Sequence, residues 1–153
     1  MTKYLELEES YNKCHKEANF LPRAEIDIGR IKTIVALAQG IIKAINKIKE
    51  KLEQDSYQQS IIFNLYYDAL HQLTEAFLRF DKIKVKNHHC LFAYLCKKHP
   101  ELDFSWEFFE RVRTLRNGVY YYANPVPDNA LKETELYFIM YINKLIQMIA
   151  IKQ

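Results

Sequence analysis

From Ile28 to Leu52, apolar side chains return every third or fourth residue: Ile28, Ile31, Val35, Ala38, Ile42, Ile45 and then Leu52. Ile26, Ile34, Leu37, Ile41 and Ile48 widen the stripe. That spacing belongs to an α-helix and not to a strand. A stripe so wide predicts a helix over about 24–52 that is buried along more than one side, central to a bundle or to a dimer. Three glycines and four prolines are all that interrupt the 153 residues. So few breakers argue for an all-α chain over a turn-rich sheet protein. The most apolar run, Ile34 to Ile48, contains Lys43, Asn46 and Lys47. It is too short and too charged to span a bilayer.

The flanking segments follow the same period. Residues 3–19 read as an amphipathic helix on Tyr4, Leu5, Leu7, Tyr11 and Cys14, ended by Phe20-Leu21-Pro22 because the residue before proline leaves the helical region. Asp55 or Ser56 caps a helix over about 57–80. Asp68 lies among that helix's apolar residues, so its carboxylate faces solvent or a cation. A basic loop, Asp81 to Lys86, carries Lys82, Lys84 and Lys86. Asn87 caps a short helix over 88–98, and Asp103 or Ser105 caps one over about 106–121. After the turn at Ala123 to Pro127, a last helix runs over about 128–151. The prediction is one domain over 1–153: an additional N-terminal helix within 1–21 and a core bundle over 22–153. It has five to six helices, antiparallel between neighbours because every connection is short.

The formal charge of +3 permits an acidic partner such as RNA without demanding one. Cys14, Cys90 and Cys96 form no C-x-x-C pair, and their number is odd. This argues against a disulfide framework and for a cytoplasmic location, with Cys90 and Cys96 as buried thiols. The first residues carry acids and no apolar core of a signal peptide.

The least ordinary segment is Arg113-Thr-Leu-Arg-Asn-Gly-Val-Tyr-Tyr-Tyr122. On a helix, Arg113, Arg116, Asn117 and Tyr120 share one face, while Leu115, Val119 and Tyr122 share another beside Val112. One side packs; the other offers two guanidiniums, an amide and a phenol. Gly118 costs roughly 1 kcal/mol relative to alanine there, which suits either a close approach or a loosened helix. The bland alternative is that both arginines pair with surface acids and the tyrosines pack.

Leu115-Arg116-Asn117-Gly118 resembles the arginine-bearing helix of the HEPN superfamily. Asn64-Leu-Tyr-Tyr-Asp-Ala-Leu70 resembles a core helix of many such domains, and Lys86-Asn87-His88 resembles their Lys-x-His helix start. The resemblance covers roughly Ile61 to Tyr122. It implies a helical bundle, a homodimer with the arginine helices facing across a cleft, and RNA cleavage that needs no metal and no cofactor. It also implies membership of a toxin–antitoxin pair, or a nucleotide-binding role beside a nucleotidyltransferase partner. In some toxin-type relatives a tyrosine beyond the motif histidine accepts AMP from that partner; Tyr122 is the matching candidate. This chain departs from the pattern at the decisive place. Tyr121, or Tyr120 with a one-residue shift, stands where the family has its histidine. A phenol with a reference pKa near 10 is a poor general base at neutral pH.

The expected site therefore binds phosphate. Arg116 and Asn117 would hold it, with Arg113, Tyr120, Lys82, Lys84 and Lys86 around them, and Tyr121 or His88 taking any catalytic role. Asp68, His88 and Arg116 are expected to converge, unless His88 or Asn87 serves only as a cap. His88, His89, Cys90, Cys96 and His99 lack a metal-site spacing. Three readings follow: an RNA- or nucleotide-binding domain with a degenerate catalytic motif, an active ribonuclease, and a non-catalytic dimerising scaffold.

Overall fold

The computed structural model describes residues 4–51 and 55–153. Leu52, the last residue of the predicted stripe, lies outside the described residues. The chain is mostly helical. Its elements are α1 (Leu7–Lys16), β1 (Phe20–Pro22), α2 (Ile28–Lys49), α3 (Ser56–Leu78), β2 (Ile83–Val85), α4 (His88–Lys98), α5 (Trp106–Tyr122) and α6 (Ala130–Lys152), with single 3-10 turns at Arg79–Asp81 and Pro100–Leu102.

The starts of the helices are set by local chemistry. Asp27, Asp55, Asn87 and Ser105 each accept a hydrogen bond from a backbone N–H three residues on, satisfying one of the free donors of the first turn. The ends are equally local. α5 stops at Ala123, whose left-handed backbone (φ 52°) lets the next N–H, that of Asn124, return to the Gly118 carbonyl at 3.0 Å.

The centre of the bundle is α3, not α2. Phe63, Tyr66, Tyr67, Leu70, Leu73, Phe77 and Leu78 of α3 are all buried, and together they face α2, α4, α5 and α6. Each such side chain contributes about 1.5–3 kcal/mol when fully withdrawn from water. Only Ile31, Ile34, Ala38 and Ile45 of α2 are buried, whereas Ile28 and Leu37 are exposed. Within the single chain, α2 thus buries less than its wide apolar stripe predicts for the centre of a bundle.

Helix directions follow from which residues meet. α1 and α4 are antiparallel: Tyr11 lies beside Tyr94 and Glu8 pairs with Lys97. α5 and α6 are antiparallel too, since Ser105 donates to the Tyr141 hydroxyl and Arg111 pairs with Glu133. α3 and α4 run in the same direction, against the expectation for neighbours: Tyr67 meets His88, and Phe77 meets His99. The cause is the segment between them. Ile83–Val85 is not a free basic loop but a strand, antiparallel to Phe20–Pro22, with Leu21 opposite Lys84. It carries the chain back along α3 before α4 begins.

The cysteine expectation is overturned. Cys14 of α1 and Cys90 of α4 are disulfide-bonded, with Cα atoms 5.7 Å apart. The odd count leaves Cys96 as a free, buried thiol. An odd number of cysteines excludes complete pairing, not one bridge, and only the α1–α4 packing brings positions so distant in sequence together. With one bridge formed, the cysteines no longer point to a reducing compartment. Among the described residues, no helix is long and apolar enough to cross a membrane.

Candidate functional site

The face predicted on α5 exists and opens on a cleft of about 480 Å³. Arg113, Arg116, Asn117 and Tyr121 line it from α5, Lys86, Asn87 and His88 from the start of α4, and Lys13 and Glu17 from α1 and its C-terminal cap. Leu115 and Val119 pack on the core behind them. The cleft lies where α4 starts, and Asn87 is fixed there from both sides. Its Oδ1 accepts from Cys90 N at 2.8 Å, and its Nδ2 donates to Asn19 Oδ1 at 3.2 Å. The positive end of the α4 dipole therefore adds to the arginines and Lys86.

The two arginines differ. Arg113 is held by Glu110, with Nε and Nη2 at 3.1 and 3.0 Å from its two carboxylate oxygens. Glu110 is 3% exposed and also bonds His89 Nδ1 at 2.9 Å. Burial alone would raise its carboxyl pKa. The hydrogen bonds and charges of His89 and Arg113 outweigh burial and hold it below the usual carboxylate range. Arg116, in contrast, has no carboxylate partner among the described residues. Its guanidinium lies 4.3 Å from the Tyr120 ring centroid and 5.4 Å from that of Tyr67, and its one polar contact is a 3.5 Å approach to Asn117 Oδ1. It is a cation positioned by aromatic faces, whose charge reaches the Asp68 carboxylate without forming an ion-pair contact.

His88 forms the opposite wall. Its Nδ1 lies 2.9 Å from the Tyr67 hydroxyl, and its ring lies 3.9 Å, centroid to centroid, from that of His71. Burial first, then Arg116 and Arg113, push the His88 pKa down, so the ring is neutral. His71 goes further: burial, the His88 ring and Arg116 lower it to about 3. With a folded value of about 3 and an ordinary value of 6.5, native His71 refuses a proton that the unfolded chain accepts. Its stabilisation is fully present above pH 6.5 and is lost as pH falls toward 3. Chemical denaturation across that window should show the wild type losing about 2 kcal/mol more than His71→Leu, after discounting for solvent relaxation around the ring. Parallel loss in both proteins would show that His71 is not the group responsible.

Several expectations are corrected. Tyr120 is exposed and stacks on Arg116 from outside the cleft, with Tyr121 edge-on at 5.2 Å. Tyr122 is exposed and does not join Leu115 and Val119, because it is the last residue before the α5 cap, beyond the core. Lys84 lines a neighbouring cleft, and Lys82, in a left-handed turn (φ 57°), lines neither. Asp68 is exposed on α3 and makes no ion pair with Arg116 among the described residues. Partial burial of its carboxyl raises the pKa, and the Arg116 charge opposes that rise. The expected Asp68–His88–Arg116 convergence therefore leaves Asp68 near Arg116 but outside the cleft that His88 and Arg116 line. A β-carbon at Gly118 would meet only Asn124 Cβ, at 4.0 Å, so no close approach explains that glycine. Asn87, not His88, is the α4 cap.

His71, Glu110 and His89 escaped the sequence reading. The signal for Glu110 was its spacing of three from Arg113, a helical ion-pair spacing. His71 lies one helical turn after Tyr67, a weaker cue. Among the described residues, no three His, Cys, Asp or Glu side chains form a group suited to a metal ion. Comparison with protein-family models, with curated proteins and with solved structures finds no match.

Proposed function

We propose that this protein is a HEPN-like domain that binds single-stranded RNA, or the phosphate of a nucleotide, in the cleft between α5 and the start of α4. One observation carries the reading: Arg116 faces that cleft beside Asn117, Lys86 and His88 and, unlike Arg113, is in ion-pair contact with no carboxylate among the described residues. A scaffold whose arginines pair internally explains Arg113 but not Arg116. Arg116 supplies the charge-assisted contact to a phosphodiester oxygen, the α4 N-terminus and Lys86 add to it, and Asn117 takes a ribose hydroxyl. Tyr120 and Tyr121 offer exposed ring faces to unpaired bases at the rim.

Titration of labelled single-stranded RNA at low salt should show Arg116→Ala binding at least tenfold more weakly than wild type, an effect in the range of one charge-assisted phosphate contact. Equal affinity for both proteins would remove the reading. Log affinity should also fall linearly with log salt, and more shallowly for the variant.

A second reading, cleavage without metal, draws on His88. In the tautomer that donates Nδ1–H to the Tyr67 hydroxyl, the lone pair on Nε2 is free to act as a general base. By the family resemblance Tyr121, or Tyr120 with a one-residue shift, stands for the motif histidine, and a phenol is a poor general base at neutral pH, so His88 is the better candidate for cleavage. A homodimer belongs to the same proposal. Its support is the apolar surface that α2 and α6 leave exposed at Leu37, Leu136, Ile139 and Met140. A nucleotidyltransferase as partner, acting on an exposed tyrosine such as Tyr122, rests on the family resemblance alone.

A further inference from the structure

A second, smaller cleft of about 190 Å³ lies on the other side of His88. The two clefts share the wall made by Lys86, Asn87 and His88, so that wall is a ridge between them and not the edge of either. The far side is lined by Arg23, Lys84, His71 and Glu75.

Its electrostatics are unbalanced. Arg23 reaches it from the segment after β1, anchored by Nε donating to the Ile83 carbonyl at 3.2 Å. Glu75 is the local carboxylate, and it is shared: its Oε1 lies 3.3 Å from Arg79 Nη2 and 4.0 Å from Arg23 Nη2. Lys84 and Lys86 add two further cations and have no ion-pair partner among the described residues. Among the described residues, Arg23, Lys84 and Lys86 of the lining, with Arg79 outside it but paired to Glu75, thus set four cations against the one carboxylate of the lining, and the His71 ring contributes no charge. Arg79 is also short of partners, since its Nε is buried without a hydrogen bond. Such a cluster is relieved by an anion. The space suits a phosphodiester with its sugar and is below the range for a whole small-molecule ligand.

We infer that the Arg23–Lys84 cleft is a second phosphate subsite, so that the ligand is an oligonucleotide strand crossing the Asn87–His88 ridge with one phosphate on each side of it. The inference rests on the proposed role of the Arg116 cleft. It deepens that role by making the strand, and not a mononucleotide, the substrate class. A strand so placed brings the sugar between the two phosphates next to His88.

The experiment compares uridine 5′-monophosphate with a uridine tetranucleotide by calorimetry, at about 0.15 M salt, where exposed charges beyond roughly 8 Å are screened. The proteins are wild type, Arg116→Ala, Lys84→Glu, and Lys43→Glu as a charge control on α2 outside both clefts. The Lys84 side chain is exposed and makes no hydrogen bond or ion pair among the described residues, and its backbone pairing opposite Leu21 does not depend on the side chain, so its replacement leaves the fold intact. Lys84→Glu should weaken the tetranucleotide about tenfold, leave the mononucleotide within twofold, and reduce the salt slope for the tetranucleotide by about 0.7. Arg116→Ala should weaken both ligands, and Lys43→Glu neither.

Tetranucleotide binding untouched by Lys84→Glu but damaged by Arg116→Ala would overturn the subsite and leave the Arg116 cleft standing. Equal weakening of both ligands by Lys84→Glu, or an effect matched by Lys43→Glu, would overturn it as a diffuse charge effect. Arg116→Ala without effect on either ligand would remove the first cleft and the subsite together.

Discussion

Replacing both Cys14 and Cys90 by alanine should lower the unfolding free energy by about 4 kcal/mol, the largest loss expected from any pair of surface-preserving changes here. The bond joins residues 76 apart in sequence, and the closing of so long a loop removes much of the freedom of the unfolded chain. α1 gains most from it. Besides the bond, that helix is held to α4 by the Tyr11 and Tyr94 rings and by the exposed Glu8–Lys97 pair, a contact of modest worth. Dithiothreitol should shift the wild-type denaturation midpoint by a similar amount and leave the double variant where it is. That second comparison separates the cross-link from the loss of two buried sulfur atoms. An unchanged wild-type midpoint on reduction would mean that α1 is held by packing alone. Lys13 of α1 and Glu17 at its C-terminal cap line the Arg116 cleft, so reduction should also loosen one of its walls.

Glu110→Gln comes next in size. The carboxylate is 3% exposed and holds Arg113 through two hydrogen bonds and His89 through a third. Glutamine keeps the volume but offers one oxygen and no charge, so Arg113 is left part-buried and unneutralised. Breaking a buried pair from one side costs about 3–5 kcal/mol; the Arg113 side chain is 23% exposed and keeps some hydration, which brings the expectation to about 2 kcal/mol. That corresponds to roughly 4–8 °C in Tm for a chain of this length. The sign with pH is fixed by the lowered carboxyl pKa. A depressed carboxylate stabilises fully above its ordinary value of 4.5 and ceases to as pH falls through its folded value. Wild type and variant should therefore differ most at neutral pH and converge in acid. A constant difference down to pH 3 would assign the loss to shape and not to charge.

How much of this was legible in the sequence depends on the range of the cause. Asp55, Asn87 and Ser105 were readable as caps because each acts on a donor three residues away. The α5 face was readable because a helix places Arg113, Arg116 and Asn117 together whatever surrounds it. The strands were missed although Ile83 and Val85 flank Lys84 in strand-like alternation, because a three-residue strand is stable only against a partner, here Phe20–Pro22. The centrality of α3 was also hidden. Apolar content along α2 is high, but burial is decided by how many neighbours a helix has. The same limit applies to His71 and to the cysteine bridge, since a ring stacked on His88 and a sulfur opposite Cys14 exist only once the helices have packed.

The measurement that bears most directly on the Arg116 cleft is the shift of arginine side-chain Nε–H resonances as single-stranded RNA is added. Arg30 on α2 and Arg111, paired with Glu133, lie outside both clefts and serve as internal references. The expected result is a saturating displacement of the Arg116 resonance, a smaller one for Arg113 because Glu110 already occupies it, and none for Arg30 or Arg111. Displacement of Arg30 or Arg111 with Arg116 unmoved would contradict the assignment of the cleft as the phosphate site.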